Sequence, residues 1–330
     1  MTLARPASRR PVYFDCDTGI DDSLALAYLL ASPEIDLVGV GTVSGNIDAT
    51  QAARNTLDLL QLAGRGDVPV AVGAHDFLAR RFTGGVPWIH GHNGVGDVTL
   101  PTAPRDPEAQ DAADLLRALA HQHEGELSIV TVGPTTNIAT ALAREPGLPG
   151  LIRSVTTMGG AALVPGNISP VAEANIGNDP EAAVMLLDAA WNCTLVPLDV
   201  TLENQLFERD RQALLEAPSA LVRALGAMLD VYFDYYVPLY GERSCALHDP
   251  MAAAIAVGGV EAVRAPAVEI VIDATDGPGR GQTICDLRGQ RLGPVDRPGA
   301  RHRIVLELAS PLGPHLVERL LAFDGPEAAR

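Results

Sequence analysis

Four aspartates fall within eight residues, Asp15-Cys16-Asp17-Thr18-Gly19-Ile20-Asp21-Asp22. They follow a short apolar run, Val12-Tyr13-Phe14, and precede a helical pattern. Carboxylates crowded at one turn repel one another, so a chain keeps them where a cation or a hydroxyl-rich ligand offsets the charge. Hard cations such as Ca²⁺ and Mg²⁺ take several oxygens from carboxylates, carbonyls and water, whereas thiols and multiple imidazoles suit softer metals. Asp17, Asp22 and the distant Asp249 would supply such a shell. Helix capping by Asp21 or Asp22 accounts for one or two of the acids and leaves the others unexplained.

Two familiar acidic patterns fit poorly. An EF-hand loop starting at Asp15 needs glycine at its sixth position and glutamate at its twelfth, where this chain has Ile20 and Leu26. The aspartyl phosphatases of the haloacid dehalogenase group also begin with a strand and Asp-x-Asp. Their signature places Thr or Val two residues after the second aspartate, where Gly19 stands, and the basic residue they need could only be arginine. That group is the runner-up reading.

Arginine is the only candidate because the 330 residues contain no lysine. Schiff-base chemistry, pyridoxal phosphate attachment and a P-loop lysine are excluded with it. A net charge of −17 argues against nucleic acid or an anionic membrane as partner, since both need a basic face. No stretch is apolar and long enough to span a bilayer. Met1 to Arg10 carries basic residues without an apolar h-region after them, and a cytoplasmic location is expected. Cys16, Cys193, Cys245 and Cys285 have no zinc spacing and read as reduced thiols.

The elements that must hold the acids are legible as alternating apolar runs and Ala/Leu-rich helical patterns. They predict one α/β domain over residues 1–330, an open, mostly parallel sheet flanked by helices. Val12 to Phe14 reads as a strand and Asp21 to Leu30 as a helix, which puts the acids on a strand-to-helix turn. Further strands are expected at Leu37 to Val43, Val68 to Val72, Leu127 to Val132, Val155 to Met158 and Leu195 to Leu198. A helical region is expected from about Arg209 to Tyr236, and a helix at Met251 to Val257. Val268 to Ile272, Thr283 to Asp286 and Ile304 to Leu308 read as closing strands, partly antiparallel, before a last helix at Pro311 to Phe323. The Gly/Pro-rich stretch Phe82 to Arg105 reads as a lid or substrate loop. Ligands of open α/β sheets sit outside the carboxyl ends of strands, and the polar motifs fall at such ends.

Those motifs, in order, are the acidic turn, Gly45-Asn46, Ile89-His90-Gly91, Val132-Gly133-Pro134-Thr135-Thr136-Asn137-Ile138, Met158-Gly159-Gly160, Gly166-Asn167 through Asn175, and His248-Asp249-Pro250. Arg280-Gly281-Gln282-Thr283 extends the set. Together they resemble the nucleoside hydrolase family, the inosine-uridine-preferring N-ribohydrolases, over most of the chain. The resemblance implies that family's Rossmann-like fold and Ca²⁺-dependent hydrolysis of the N-glycosidic bond of ribonucleosides. It implies Asp17, Asp22, Asp249 and the main-chain carbonyl of Val132 as ligands of the ion, with Asp17 accepting a proton from the attacking water.

By the same resemblance Asp21, Asn46, Asn167, Glu173 and Asn175 hold the ribose hydroxyls, and Met158 lies under the ring. Core packing for Met158 and turn chemistry for the asparagines are the competing readings. His248, directly before a proposed ligand, is expected to protonate the departing base, and His90 to position sugar or base. Tyr232, Tyr235, Tyr236 and Tyr240 cluster in a chain with 4% aromatics. Tyr236 and Tyr240 are read as base contacts, with a core or subunit interface as the competing role. Ala174 stands where members of the family often carry a bulkier residue, and the segment from Met158 to Asn167 is one residue longer than in some. Homodimers or homotetramers are implied. A non-catalytic Ca²⁺ and riboside binder on the same scaffold is the other alternative, and the intact Asp17 and His248 argue against it.

Overall fold

Strand β1 (Arg10–Cys16) shows how the sheet is covered. In the computed structural model, which describes residues 9–325, Val12, Phe14 and Cys16 join one hydrophobic cluster and Tyr13 joins another. Side chains alternate across a strand, so apolar layers cover both faces, as a parallel sheet requires. Helix α1 (Ile20–Leu30), buried from Ile20 to Leu29, belongs to the first layer together with the long helix Ala220–Tyr240 and the helix Asp249–Val257.

Strands β2 (Ile35–Thr42), β3 (Val70–Val72), β4 (Leu127–Thr131), β5 (Ile152–Met158) and β6 (Cys193–Val196) follow in the chain. They lie with β1 in the order β3-β2-β1-β4-β5-β6, all parallel. His302–Ile304 adds parallel to β6, and Ala267–Val268 closes that edge antiparallel. The order reverses between β1 and β4, and crossovers leaving in opposite directions open a crevice beyond the carboxyl ends there. Cys16 and Thr131 end those two strands, so the acidic turn and Val132 enter the crevice.

Several expected elements differ in detail. The region from Arg209 to Tyr236 is two helices, Glu208–Leu215 and Ala220–Tyr240, divided at Pro218, which offers no N–H. Val268 to Ile272 divides at Glu269. Its first half joins the main sheet, and Ile270–Ile272 pairs antiparallel with Thr283–Cys285. Ile304 to Leu308 divides likewise, with Glu307–Leu308 antiparallel to Ala262–Arg264. The stretch Phe82 to Arg105 holds one short helix, Pro87–His90.

Cys16, Cys193 and Cys245 are buried and all four cysteines are unbonded. Among the described residues no helix is long and apolar enough to cross a membrane. The reading of residues 1–8 as free of an h-region lies outside the described residues.

Candidate active site

Asp17 stands one residue past β1, and the turn that follows is built on Asp22. The Asp22 carboxylate accepts from the backbone N–H of Asp17 at 3.0 Å and of Gly19 at 2.8 Å, holding the start of α1 against the strand end. Asn46, just beyond β2, donates its side-chain amide to Asp22 at 3.0 Å and its backbone N–H to Asp17 Oδ2 at 2.6 Å. A Cβ on Gly45 would collide with the Asp17 carboxylate, so only glycine admits this approach. Asp15 points to the other face of the sheet, where Tyr13 Oη and Asn137 Nδ2 donate to it at 2.9 and 3.1 Å.

Asp21 accepts from Tyr232 Oη at 3.0 Å. The Ile20 N–H donates to His90 Nδ1 at 3.0 Å, which fixes the tautomer and leaves Nε2 carrying the proton. Burial lowers the His90 pKa against the pull of Asp21. At the ends of β4 and β5, Asn175 Nδ2 donates to the Val132 carbonyl at 2.7 Å and the Met158 carbonyl at 3.2 Å. Glu173 caps the short helix Ala174–Asn178 and accepts from Gly160, Asn175 and Ile176 N–H groups at 2.9, 2.8 and 3.1 Å. Asn167 is held by its N–H on the Ala172 carbonyl at 3.1 Å.

His248, the residue before Asp249, is bracketed by hydroxyls, Thr201 Oγ1 at 2.8 Å from Nδ1 and Tyr236 Oη at 2.7 Å from Nε2. Burial lowers its pKa, Asp21 opposing and His90 adding to the fall. Tyr240 does not reach the cavity. It stacks behind Tyr236 with centroids 5.5 Å apart and donates to the Leu202 carbonyl at 3.3 Å, and Tyr235 lines the cavity instead.

The cavity has a volume of about 220 Å³ and is lined by Asp17, Asp21, Asn46, His90, Val132, Met158, Asn167, Glu173, Asn175, Tyr236, His248 and Asp249. Asp22 lies beneath, fully buried. Sequence reasoning missed the apolar lining of Phe77, Phe82, Ile168, Leu202 and Leu239. Leu239 follows Tyr235 by one helical turn, and that spacing was the available signal. Phe77 carried no signal, whereas Phe82 opens the stretch read as a lid or substrate loop and was not singled out within it.

The acids form a cluster that could hold a cation. One oxygen each of Asp21, Asp22 and Asp249 lies within 4.8 Å of the others, so the close trio includes Asp21 where the sequence reading has Asp17. The Asp17 Oδ1 and Asp21 Oδ1 atoms are buried without a hydrogen-bond partner. Burial, then repulsion by Asp22, holds Asp17 well above the usual carboxylate range, and burial with Asp21 does the same to Asp249. Burial and Asp21 push Asp22 up to about 7. A hard cation would supply the missing partner charge, and an all-oxygen donor set suits one.

A family model for the inosine-uridine preferring nucleoside hydrolase matches residues 12–311. Probable uridine nucleosidase 2 of Arabidopsis thaliana is 36% identical over 243 residues, 73% of this chain and 76% of that protein. The pyrimidine-specific ribonucleoside hydrolase RihA of Shewanella sp. (strain MR-7) is 36% identical over 246 residues, 74% of this chain and 77% of that one. The solved structure of a purine-preferring ribonucleoside hydrolase from Gardnerella vaginalis superposes with a TM-score of 0.87 at 31% identity, covering 95% of this chain and 99% of that chain. Fold, site and matches together define a nucleoside hydrolase, an enzyme acting on ribonucleosides. The chain belongs to the inosine-uridine preferring nucleoside hydrolase family.

Proposed function

We propose that the enzyme hydrolyses the N-glycosidic bond of ribonucleosides in a Ca²⁺-dependent reaction, with Asp17 as general base and His248 as leaving-group acid. The observation that carries this reading is the unpartnered Asp17 Oδ1, buried among Asp21, Asp22 and Asp249 in a cavity that His248 also lines. Asp17, Asp22, Asp249 and the Val132 carbonyl would hold the ion, with Asp21 beside them. Calcium bound there would neutralise the acids and make water a better nucleophile near neutral pH.

The chain's own residues do the rest. Asp21, Asn46, Asn167, Glu173 and Asn175 bind the ribose hydroxyls, and Met158 packs under the ring. Asp17 takes one proton from the water whose oxygen bonds to C1′ as the C1′–N bond breaks. Surrounding carboxylates and amides favour the positive charge that develops on the ribose. His248, held between Thr201 and Tyr236, donates the proton of its imidazolium form to the departing base and is left neutral, while His90 and Tyr236 orient the base.

With this reading go a single domain over residues 1–330, a cytoplasmic location and a homodimer or homotetramer. Base preference follows from assay of uridine, cytidine, inosine and adenosine for ribose release, with and without calcium. Metal-dependent ribose release supports the reading. Phosphate release from a phosphate ester would move it to the phosphatase class.

A further inference from the structure

Asp179 is a fully buried carboxylate that the proposed reaction does not use. It stands between the helices Ala174–Asn178 and Pro180–Asp188 and caps the second, accepting the Ala182 N–H on Oδ1 at 3.1 Å. A helix cap needs one oxygen. The other, Oδ2, accepts the Thr136 hydroxyl at 2.7 Å and the Leu78 N–H at 3.0 Å. One side chain thus joins three segments that meet at the cavity. Thr136 begins the helix Thr136–Arg144 shortly after Val132, the helix before Asp179 carries Asn175 and Asn178, and Leu78 follows Phe77.

The Leu78 bond is important because little else fixes the stretch that carries Phe77 and Phe82. The ends of that stretch are pinned, the Ala74 N–H to Asn137 Oδ1 at 2.8 Å and the Val86 N–H to the Asn46 carbonyl at 3.0 Å. Residues 75–85 between them form no helix or strand. Among the described residues, Leu78 makes their only backbone hydrogen bond to the rest of the chain. The other anchors are side-chain contacts, His75 with Ser44 at 3.4 Å and Arg80 with the exposed Asp276 at 3.6 Å, and an exposed ion pair is worth little. Phe82 packs edge-on to Phe77 and to His75, with centroids 6.2 and 5.4 Å apart, so a stretch freed at Leu78 moves both rings together.

We propose that Asp179 is a positioning residue for substrate binding, which through the Leu78 N–H holds Phe77 and Phe82 at the cavity. The inference rests on the hydrolase reading above. Neither ring carries a group that gains or loses charge in the reaction, so both meet ground state and transition state alike, and uniform binding of that kind shows in KM rather than kcat. A hydrogen bond to a charged acceptor contributes more than a neutral one. Its loss leaves the binding-competent arrangement a minor population and raises KM in proportion.

Two variants cut the tether from opposite ends. Asp179→Ser keeps a cap for the Ala182 N–H, serine being as good a cap as aspartate, but its single oxygen cannot also reach Leu78. Leu78→Pro removes the donor and leaves the Asp179 cap untouched. Each variant, loaded with calcium and assayed on uridine and inosine, should raise KM about tenfold with kcat nearly unchanged. Each should also be cut about tenfold faster than the parent by trypsin after Arg80 or Arg81, exposed arginines within the stretch. Phe77→Ala should raise KM as well, and Asp179→Ser added to it should raise KM little further, since both remove the same contact. An active parent whose variants keep its KM and its trypsin rate overturns the role. A rise in KM with Asp179→Ser alone overturns it too and leaves Asp179 a helix cap. If the serine variant does not fold, Leu78→Pro decides by the same two readouts. A parent that cleaves no nucleoside overturns the hydrolase reading and this role with it.

Discussion

Nε2 of His248 lies 2.7 Å from the Tyr236 hydroxyl. With Thr201 on Nδ1, both ring nitrogens are engaged and the imidazole is held on the side of the cavity that the base is proposed to occupy. His248→Ala should lower kcat on a ribonucleoside by about 10²- to 10⁴-fold, the usual contribution of a positioned acid. Tyr236→Phe should cost less, since the imidazole keeps its Thr201 contact. A nitrophenyl riboside, whose leaving group departs as a stable anion, should lose far less to either change. Equal losses on both substrates would show that His248 serves structure rather than proton delivery.

Removal of calcium should invert the pH dependence of stability. Burial and Asp21 raise the Asp22 pKa to about 7, above its ordinary unfolded value, so the folded metal-free protein binds more protons than the unfolded chain between the two. Stability of the chelated protein therefore falls as pH rises toward and through 7. Added calcium should raise Tm, and by more at pH 8 than at pH 6, because the ion needs deprotonated ligands. Thermal melts across pH 5 to 8, with chelator and with calcium, check this. A flat Tm in chelator would contradict it.

Asp15 separates structural from ligating acids. Tyr13 and Asn137 donate to it, and burial still pushes its pKa up to about 7. Asp15→Ala removes an acceptor from both donors and leaves Tyr13 Oη the Ala112 carbonyl and Asn137 Nδ2 the Thr42 carbonyl, so it should cost about 1 kcal/mol of stability, read as a lower denaturant midpoint. Calcium stoichiometry, measured by titration calorimetry, should stay unchanged. A variant that folds but no longer binds the ion would place Asp15 in the metal site.

Asn175 ties β4 to β5 through the Val132 and Met158 carbonyls. Asn175→Leu should destabilise the fold by about 1–3 kcal/mol through the unsatisfied carbonyls. It should also weaken calcium binding, because the Val132 carbonyl loses the donor that orients it. Calorimetry on the folded variant measures the second effect, and an unaltered Kd would remove Val132 from the ligand set.

The local part of this site was legible because each motif sits where an apolar run stops: Asp17 after Phe14, Asn46 after Val40, Val132 after Val130. Parallel strands placed their carboxyl ends together, so reading strand ends was nearly reading the site. What the sequence could not carry was long-range order. Nothing local says that β1 lies between β2 and β4, or that Glu269 is where one apolar run is shared between two sheets. Tyr235 and Tyr240 were exchanged for a similar reason. Both neighbour Tyr236 on the helix, and Tyr240 is turned to stack on Tyr236 and donate to the Leu202 carbonyl.

The most direct test titrates Ca²⁺ into chelated enzyme while ribose release from a nucleoside is followed, with Asp17→Asn alongside. Activity of the parent enzyme should be absent in chelator and return in proportion to the ion bound, with Asp17→Asn inactive at calcium levels that saturate the parent. Full activity in chelator, or full activity of Asp17→Asn, would contradict a calcium-dependent reaction with Asp17 as its base.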